Sequence, residues 1–239
     1  MKVDIFIPCF IDQIYPEVAV DMVKVLRRAG CEVNYNVNQT CCGQPAYNAG
    51  MPHVAKEVSK KFLTNFDTDN NVVCPAGSCV GFVRSGMPSF FKGTTDEPTS
   101  VRVANKVFEF SEFLVNILGI TNFGADLNGV GVYHDACGAL RECKIKKSPR
   151  LLLDNVANLT MLEAPDCEVC CGFGGTFSVT HEPISVAMAE QKIDNAIKLG
   201  ADYLISTDMS CLMHLKAYTE KFNRKIKLMH LASVLATKL

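Results

Sequence analysis

The sequence predicts an α/β protein built from two tandem halves, each with a mostly parallel sheet. Three observations carry this reading. A cysteine pattern occurs twice in the same order; short apolar runs alternate with helical periodicity in both copies; and residues 119–128, rich in Gly, Asn, Asp and Thr, separate the copies without periodicity of their own.

The repeat is anchored on Cys41-Cys42-Gly43 and Cys170-Cys171-Gly172, 129 residues apart. A lone cysteine precedes each pair at nearly the same distance: Cys9 lies 32 positions before Cys41, and Cys137 lies 33 before Cys170. A fourth cysteine follows, in Pro75-Ala76-Gly77-Ser78-Cys79 and in Thr207-Asp208-Met209-Ser210-Cys211. The segment from Val3 to Cys9 parallels the one from Gly131 to Cys137, and residues 107–114 parallel residues 228–235. Four landmarks in one order imply a duplication, divided here as residues 1–122 and 123–239.

The elements follow in order. Residues 3–8 form a short apolar run, read as a buried strand. Residues 17–29 place Val18, Met22, Val25, Leu26 and Ala29 at helical spacing and stop at Gly30. Residues 31–37 return to a strand pattern, 54–66 read as a helix and 71–74 as a strand. The second half gives strands at 130–133, 160–162 and 203–206, and helices at 149–157, 183–199 and 211–222. Such alternation implies βαβ units, and hence Rossmann-like halves related by a pseudo-two-fold axis, with both cysteine sites facing the region between them. A closing helix is expected around 107–118 and again around 229–236. Residues 84–100 are expected to be a long loop without counterpart.

The chain has 239 residues, 48% of them hydrophobic, enough to bury a core in each half. Lys and Arg total 24 against 25 Asp and Glu, so the net charge of -1 offers no broad attraction for nucleic acid or anionic lipid. The local cluster Lys144, Lys146, Lys147 and Arg150 reads as a solvated loop and helix start, or more sharply as a docking patch for an acidic partner. No apolar run reaches the roughly 18 residues of a membrane span, and the N-terminal run is too short for a signal peptide. The expected location is the cytoplasm. Disulfides are rare in that reducing compartment, so the twelve cysteines call for metal binding or thiol chemistry.

Ligands collect at the carboxyl ends of parallel strands. Cys9, Cys79, Cys137 and Cys211 each follow a strand-like run, and the paired cysteines follow others. Neighbouring side chains diverge in regular structure, so the glycine after each pair relaxes the backbone and exposes N–H groups. Gly43, Gly172, Gly174 and Gly175 are therefore candidates to aim amides at cluster sulfurs, a contact that tunes reduction potential. Four soft thiolates in one pocket suit an iron–sulfur cluster or zinc. Cys31 and Cys74 read as buried structural thiols. Cys143 is undecided, and Cys167, in a C-x-x-C spacing with Cys170, is either an accessory thiol or without a role. His134 and His214 lie three residues from Cys137 and Cys211 and could reach the second site; histidine ligands to iron–sulfur centres exist, but core or second-sphere roles are the favoured reading. His53, His181 and His230 read as helix-start or surface residues. Residues 172–175 lack the Lys and Ser/Thr of a phosphate loop and the spacing of a dinucleotide fingerprint.

These motifs resemble the duplicated CCG cysteine-rich domain. That family includes the cysteine-rich subunit of heterodisulfide reductase, the iron–sulfur subunits of glycolate and anaerobic glycerol-3-phosphate oxidation, and lactate-utilisation protein A. The last branch is the most similar, on Cys41-Cys42-Gly43-Gln44-Pro45-Ala46, on Pro75 to Cys79, on Cys170 through Val179, and on Asp208-Met209-Ser210-Cys211-Leu212. The resemblance spans the whole chain. It implies an oxidoreductase subunit that relays electrons as L-lactate becomes pyruvate, working with companion lactate-utilisation iron–sulfur and accessory proteins. It further implies that Cys9, Cys41, Cys42 and Cys79, and Cys137, Cys170, Cys171 and Cys211, each hold one cluster. Heterodisulfide reductase carries C-x-x-C where this chain has Ala76-x-x-Cys79 and Asp208-x-x-Cys211. Four cysteines per half match a [4Fe-4S] cluster, with Asp208 a candidate extra ligand and zinc open as an occupant of one half. The alternatives are a zinc-stabilised scaffold and a thiol–disulfide enzyme component.

Overall fold

A computed structural model describes residues 1–238. Eight strands form two sheets: β1 (Lys2–Ile5), β2 (Glu32–Tyr35), β3 (Asn71–Cys74) and β4 (Val107–Glu109), then β5 (Asp126–Tyr133), β6 (Ala157–Leu162), β7 (Tyr203–Ser206) and β8 (Lys227–His230). The first sheet is ordered β2-β1-β3-β4 and the second β6-β5-β7-β8, with every pairing parallel. The two orders are one permutation used twice. In each, the chain reverses its direction of travel across the sheet between the first and third strands, β1 and β3 or β5 and β7, which opens a crevice at their carboxyl ends.

The crossover helices form where the periodicity places them. Helix Pro16–Arg28 starts on a proline, buries Val18, Met22, Val25 and Leu26, and is followed by Gly30 at φ +79°. Helix Pro52–Phe66 buries Ala55, Ser59, Phe62, Leu63 and Phe66, a stripe at three- and four-residue spacing. Helices Glu182–Lys198 and Met209–Lys221 serve the second sheet.

Three expectations change. Residues 84–100 are largely helical, with a wide turn at Phe82–Gly86, a tight one at Met87–Phe90 and an α-helix at Glu97–Ala104. Pro88 and Pro98 sit in the first turns of these segments, where proline starts a helix instead of breaking it. The expected closing helices begin instead as the edge strands β4 and β8, because parallel pairing with β3 and β7 captures residues whose run is too short to show a strand period. Strand β5 begins at Asp126, inside the stretch expected to separate the halves, through a register shift between Asp126 and Gly129. Gly129 has φ +142°, and a side chain there would collide with Asp202 and Tyr203.

The halves share an interior. One continuous apolar cluster runs from Val3, Ile5 and Phe110 to Val132, Leu204 and Leu235, while a second, around Phe6, Phe62, Phe66 and Phe82, belongs to the first half alone. Helix Gly77–Gly81 lies directly against the helical turns at Gly138–Glu142. A Cβ on Gly77 would stand 2.4 Å from the Ala139 Cβ, and one on Gly138 would stand 2.6 Å from the Ser78 Cα. Only glycine permits this approach.

Candidate metal centres

The topology explains why the cysteines meet. Cys9 and Cys79 follow β1 and β3, the strands that flank the first switch point, and Cys41 and Cys42 follow β2. Cys137, Cys211 and the pair Cys170 and Cys171 hold the same positions after β5, β7 and β6. All twelve cysteines are free thiols.

In the first half the Cys41 sulfur lies between those of Cys42 and Cys9, and the Cys42 sulfur also contacts Cys79. Gly43 has φ +103°, and a Cβ there would reach 3.0 Å from the Ala55 carbonyl oxygen. This left-handed turn lets consecutive cysteines point into one site, and the Gly43 N–H donates to Cys41 Sγ at 3.4 Å. The neighbouring Cys42 and Cys9 thiols and these backbone N–H groups drive the Cys41 thiol down to about 3, while hydrogen bonding to Cys41 and burial push Cys9 far up. Cys42, fully buried, is pushed up by Cys41, Cys79 and desolvation. One thiolate forms readily and its charge opposes the next. A cation removes that opposition.

The second half repeats the arrangement. Cys170 contacts Cys137 and Cys171, and Cys171 contacts Cys211. Gly172, at φ +95°, donates its N–H to Cys170 Sγ at 3.4 Å, and the Phe173 N–H donates to Cys171 Sγ at 3.5 Å. Cys170 is driven down to about 2 by the Cys137 and Cys171 thiols, whereas Cys137 and Cys171 rise through hydrogen bonding to Cys170 and burial. His134 differs from its first-half counterpart Phe6. It is 2% exposed, and among the described residues neither ring nitrogen has a hydrogen-bond partner. Among the described residues, His134, Cys171 and Cys211 are the one set of three potential ligands whose donor atoms all lie within 4.8 Å of one another. Burial keeps the imidazole neutral, its pKa pushed down to about 3.

A pocket of about 160 Å³ lies between the halves, and Cys9, Cys41, Cys42, Cys79, Cys137 and Cys211 all line it. Cys170 and Cys171 sit behind it, in contact with Cys137 and Cys211. Gly174 and Gly175 form part of its wall, and the amide donors observed on sulfur come from Gly43, Gly172 and Phe173. Asp208, also on the wall, has both oxygens engaged. Oδ2 accepts the Ser78 N–H at 2.9 Å; Oδ1 accepts the Ser210 N–H at 3.2 Å and the Ser210 hydroxyl at 2.5 Å.

The remaining candidates separate by position. Cys31 is core, and Cys143 lies beside the Gly77 carbonyl at 3.7 Å, between the halves. Cys74 is fully buried behind Cys79 and touches its sulfur, a proximity hinted at only by its place at the strand end. The neighbours of the Cys167 thiol are Asp135, Glu163 and Arg150. His214 is half-buried against Ser185, and His53 and His181 are exposed. His230, expected at a helix start or the surface, does cap a helix but is buried. Its Nδ1 accepts the Ala232 N–H at 3.0 Å, and its Nε2 meets the Pro75 carbonyl across the interface at 3.0 Å. Two of the four residues of the basic cluster are committed: Arg150 binds Asp135 through two bonds of 2.9 and 2.8 Å and also pairs with Glu163, and Lys146 pairs with Glu168. Among the described residues no helix is long and apolar enough to cross a membrane.

A duplicated α/β unit with a cysteine quartet at each switch point defines a cysteine-rich protein suited to binding metal. The CCG cysteine-rich domain matches at residues 3–84 and 131–216. Lactate utilization protein A 1 of Bacillus cereus strain AH820 is 41% identical over 239 residues, covering 98% of each chain, and lactate utilization protein A of Bacillus thuringiensis strain Al Hakam matches to the same extent. The chain belongs to this family of duplicated CCG proteins. A crystal structure of a hypothetical protein from Helicobacter pylori superposes with a TM-score of 0.68 at 11% identity, covering 98% of this chain and 48% of its own, and supports the fold.

Proposed function

We propose that each quartet, Cys9, Cys41, Cys42 and Cys79 or Cys137, Cys170, Cys171 and Cys211, holds one iron–sulfur cluster of the [4Fe-4S] type. In this reading the protein relays electrons within a multi-protein system that oxidises L-lactate to pyruvate. The observation that carries it is the shared pocket, into which both quartets open. Two one-electron centres facing one space match a two-electron oxidation, and the relatives' names supply the substrate.

Four thiolates in each half match the irons of a four-iron cluster one for one, which favours a cluster over a single zinc ion. The cluster would supply one-electron transfer. This chain's residues would hold it, shield it from water through Cys42, Cys171 and Cys211, and direct the Gly43, Gly172 and Phe173 amides at its ligand sulfurs.

The test is iron and acid-labile sulfide analysis of anaerobically prepared protein, followed by turnover assays with L-lactate and an artificial acceptor. About four irons per half and turnover only with companion proteins are expected. Zinc without iron, or robust lactate oxidation by this chain alone, would overturn the reading.

A further inference from the structure

We infer that the two metal centres are chemically different, and that His134 gives the second an imidazole nitrogen ligand while the first is bound by sulfur alone. The inference rests on the cluster reading above and goes beyond it by naming a ligand outside the repeated cysteines.

The duplication provides an internal comparison. His134 and Phe6 occupy the same place: the Phe6 N–H donates to the Val73 carbonyl at 3.0 Å, and the His134 N–H donates to the Ile205 carbonyl at 2.8 Å. Phe6 behaves as a core residue, with its ring edge-on to Phe62 and Phe66 at 4.9 and 5.6 Å. A histidine kept for packing in that position would be expected to satisfy its nitrogens. His134 does not, although its backbone is held on both sides, the Ser206 hydroxyl donating to its carbonyl at 2.9 Å. Close packing around the ring, which is 2% exposed, restricts its turning to another partner.

What it faces is sulfur. Its nearer nitrogen lies within 4.8 Å of both Cys171 Sγ and Cys211 Sγ, close enough to reach an iron held beside either thiolate. The Cys167 backbone lies on the ring as well, short of a well-formed hydrogen bond. Metal-bound imidazoles commonly direct their second nitrogen at a backbone carbonyl. Histidine is an accepted iron ligand in iron–sulfur centres. A neutral donor in place of a thiolate leaves less negative charge on the cluster.

The experiment uses the full chain, loaded anaerobically, reduced, and labelled with 15N only at histidine. Pulsed electron paramagnetic resonance should show a strong 15N coupling on one of two centres. That coupling should vanish in His134→Phe, which installs the first-half residue, and survive in His214→Gln. Iron present in both halves without a histidine coupling would overturn this inference alone. So would a coupling that persists in His134→Phe. Absence of iron would overturn the cluster reading, and this inference with it. If His134→Phe folds poorly, a coupling present in the wild type and retained in His214→Gln still assigns the ligand to His134, and no coupling in the wild type overturns it.

Discussion

The Asp208 carboxylate, in the second half, accepts the Ser78 N–H of the first at 2.9 Å while also accepting the Ser210 N–H of its own helix at 3.2 Å. Ser78 and Ser210 are equivalent positions in the repeat, each one residue before a cysteine of the quartets. One side chain thus caps both helices that carry the fourth cysteines. The first helix has Ala76 at its cap position and no capping side chain of its own.

Asp208→Ala is expected to uncap both helices and leave the Ser78 N–H without its partner. The loss should be about 1–3 kcal/mol in urea denaturation of the full chain. Asp208→Asn keeps one acceptor oxygen and should lose less. Equal stability of Asp208→Ala and the parent would remove the shared cap from the account.

Gly77→Ala would drive a methyl group into Ala139, where the gap is 2.4 Å. Both contacting segments are backbone-rich and flank the metal pocket, so neither can yield by a rotamer change. A destabilisation of about 1–3 kcal/mol is expected from overpacking, with reduced metal retention in both halves. Thermal unfolding and metal analysis read the two effects separately.

Burial pushes the Glu109 carboxyl up to about 7, against the opposing hydrogen bonds from Ser111 and Glu112. A group that binds its proton more tightly when folded contributes stability below its unfolded pKa and loses it as pH rises through the folded value. The stability of the parent relative to Glu109→Gln should therefore decline between about pH 4.5 and 7.5, by about 1–3 kcal/mol. Glutamine keeps the oxygen that accepts the Ser111 N–H at 2.9 Å. A pH-independent difference between the two proteins would show that Glu109 does not titrate in this window.

Cys42→Ser and Cys171→Ser should each lower bound iron to about half, leaving the other centre's spectrum intact, because each quartet is closed within its own half. The double variant should fail to support lactate-dependent growth. Cys31→Ala should keep its full iron complement and lose only about 1 kcal/mol through its small cavity. Iron loss in Cys31→Ala equal to that in Cys42→Ser would break the assignment of the quartets.

The sequence alone determined the duplication, the α/β class and the position of each quartet cysteine after its strand. These features are local. Apolar runs such as 71–74, helical stripes such as Ala55, Phe62 and Phe66, and a glycine after each cysteine pair carry their meaning within a few residues. Edge strands β4 and β8 were not legible, because three or four residues show no period until a neighbouring strand captures them. The burial of Glu109 and His230, the Asp208 bridge to Ser78 and the Gly77–Gly138 contact were decided only by the tertiary structure. The His230, Asp208 and Gly77 contacts join groups from opposite halves of the chain, and no local pattern encodes a partner so distant in sequence. His134 shows the limit most directly. Its spacing from Cys137 placed it near the second site, but only packing could strip its ring of hydrogen-bond partners and turn it toward Cys171 and Cys211.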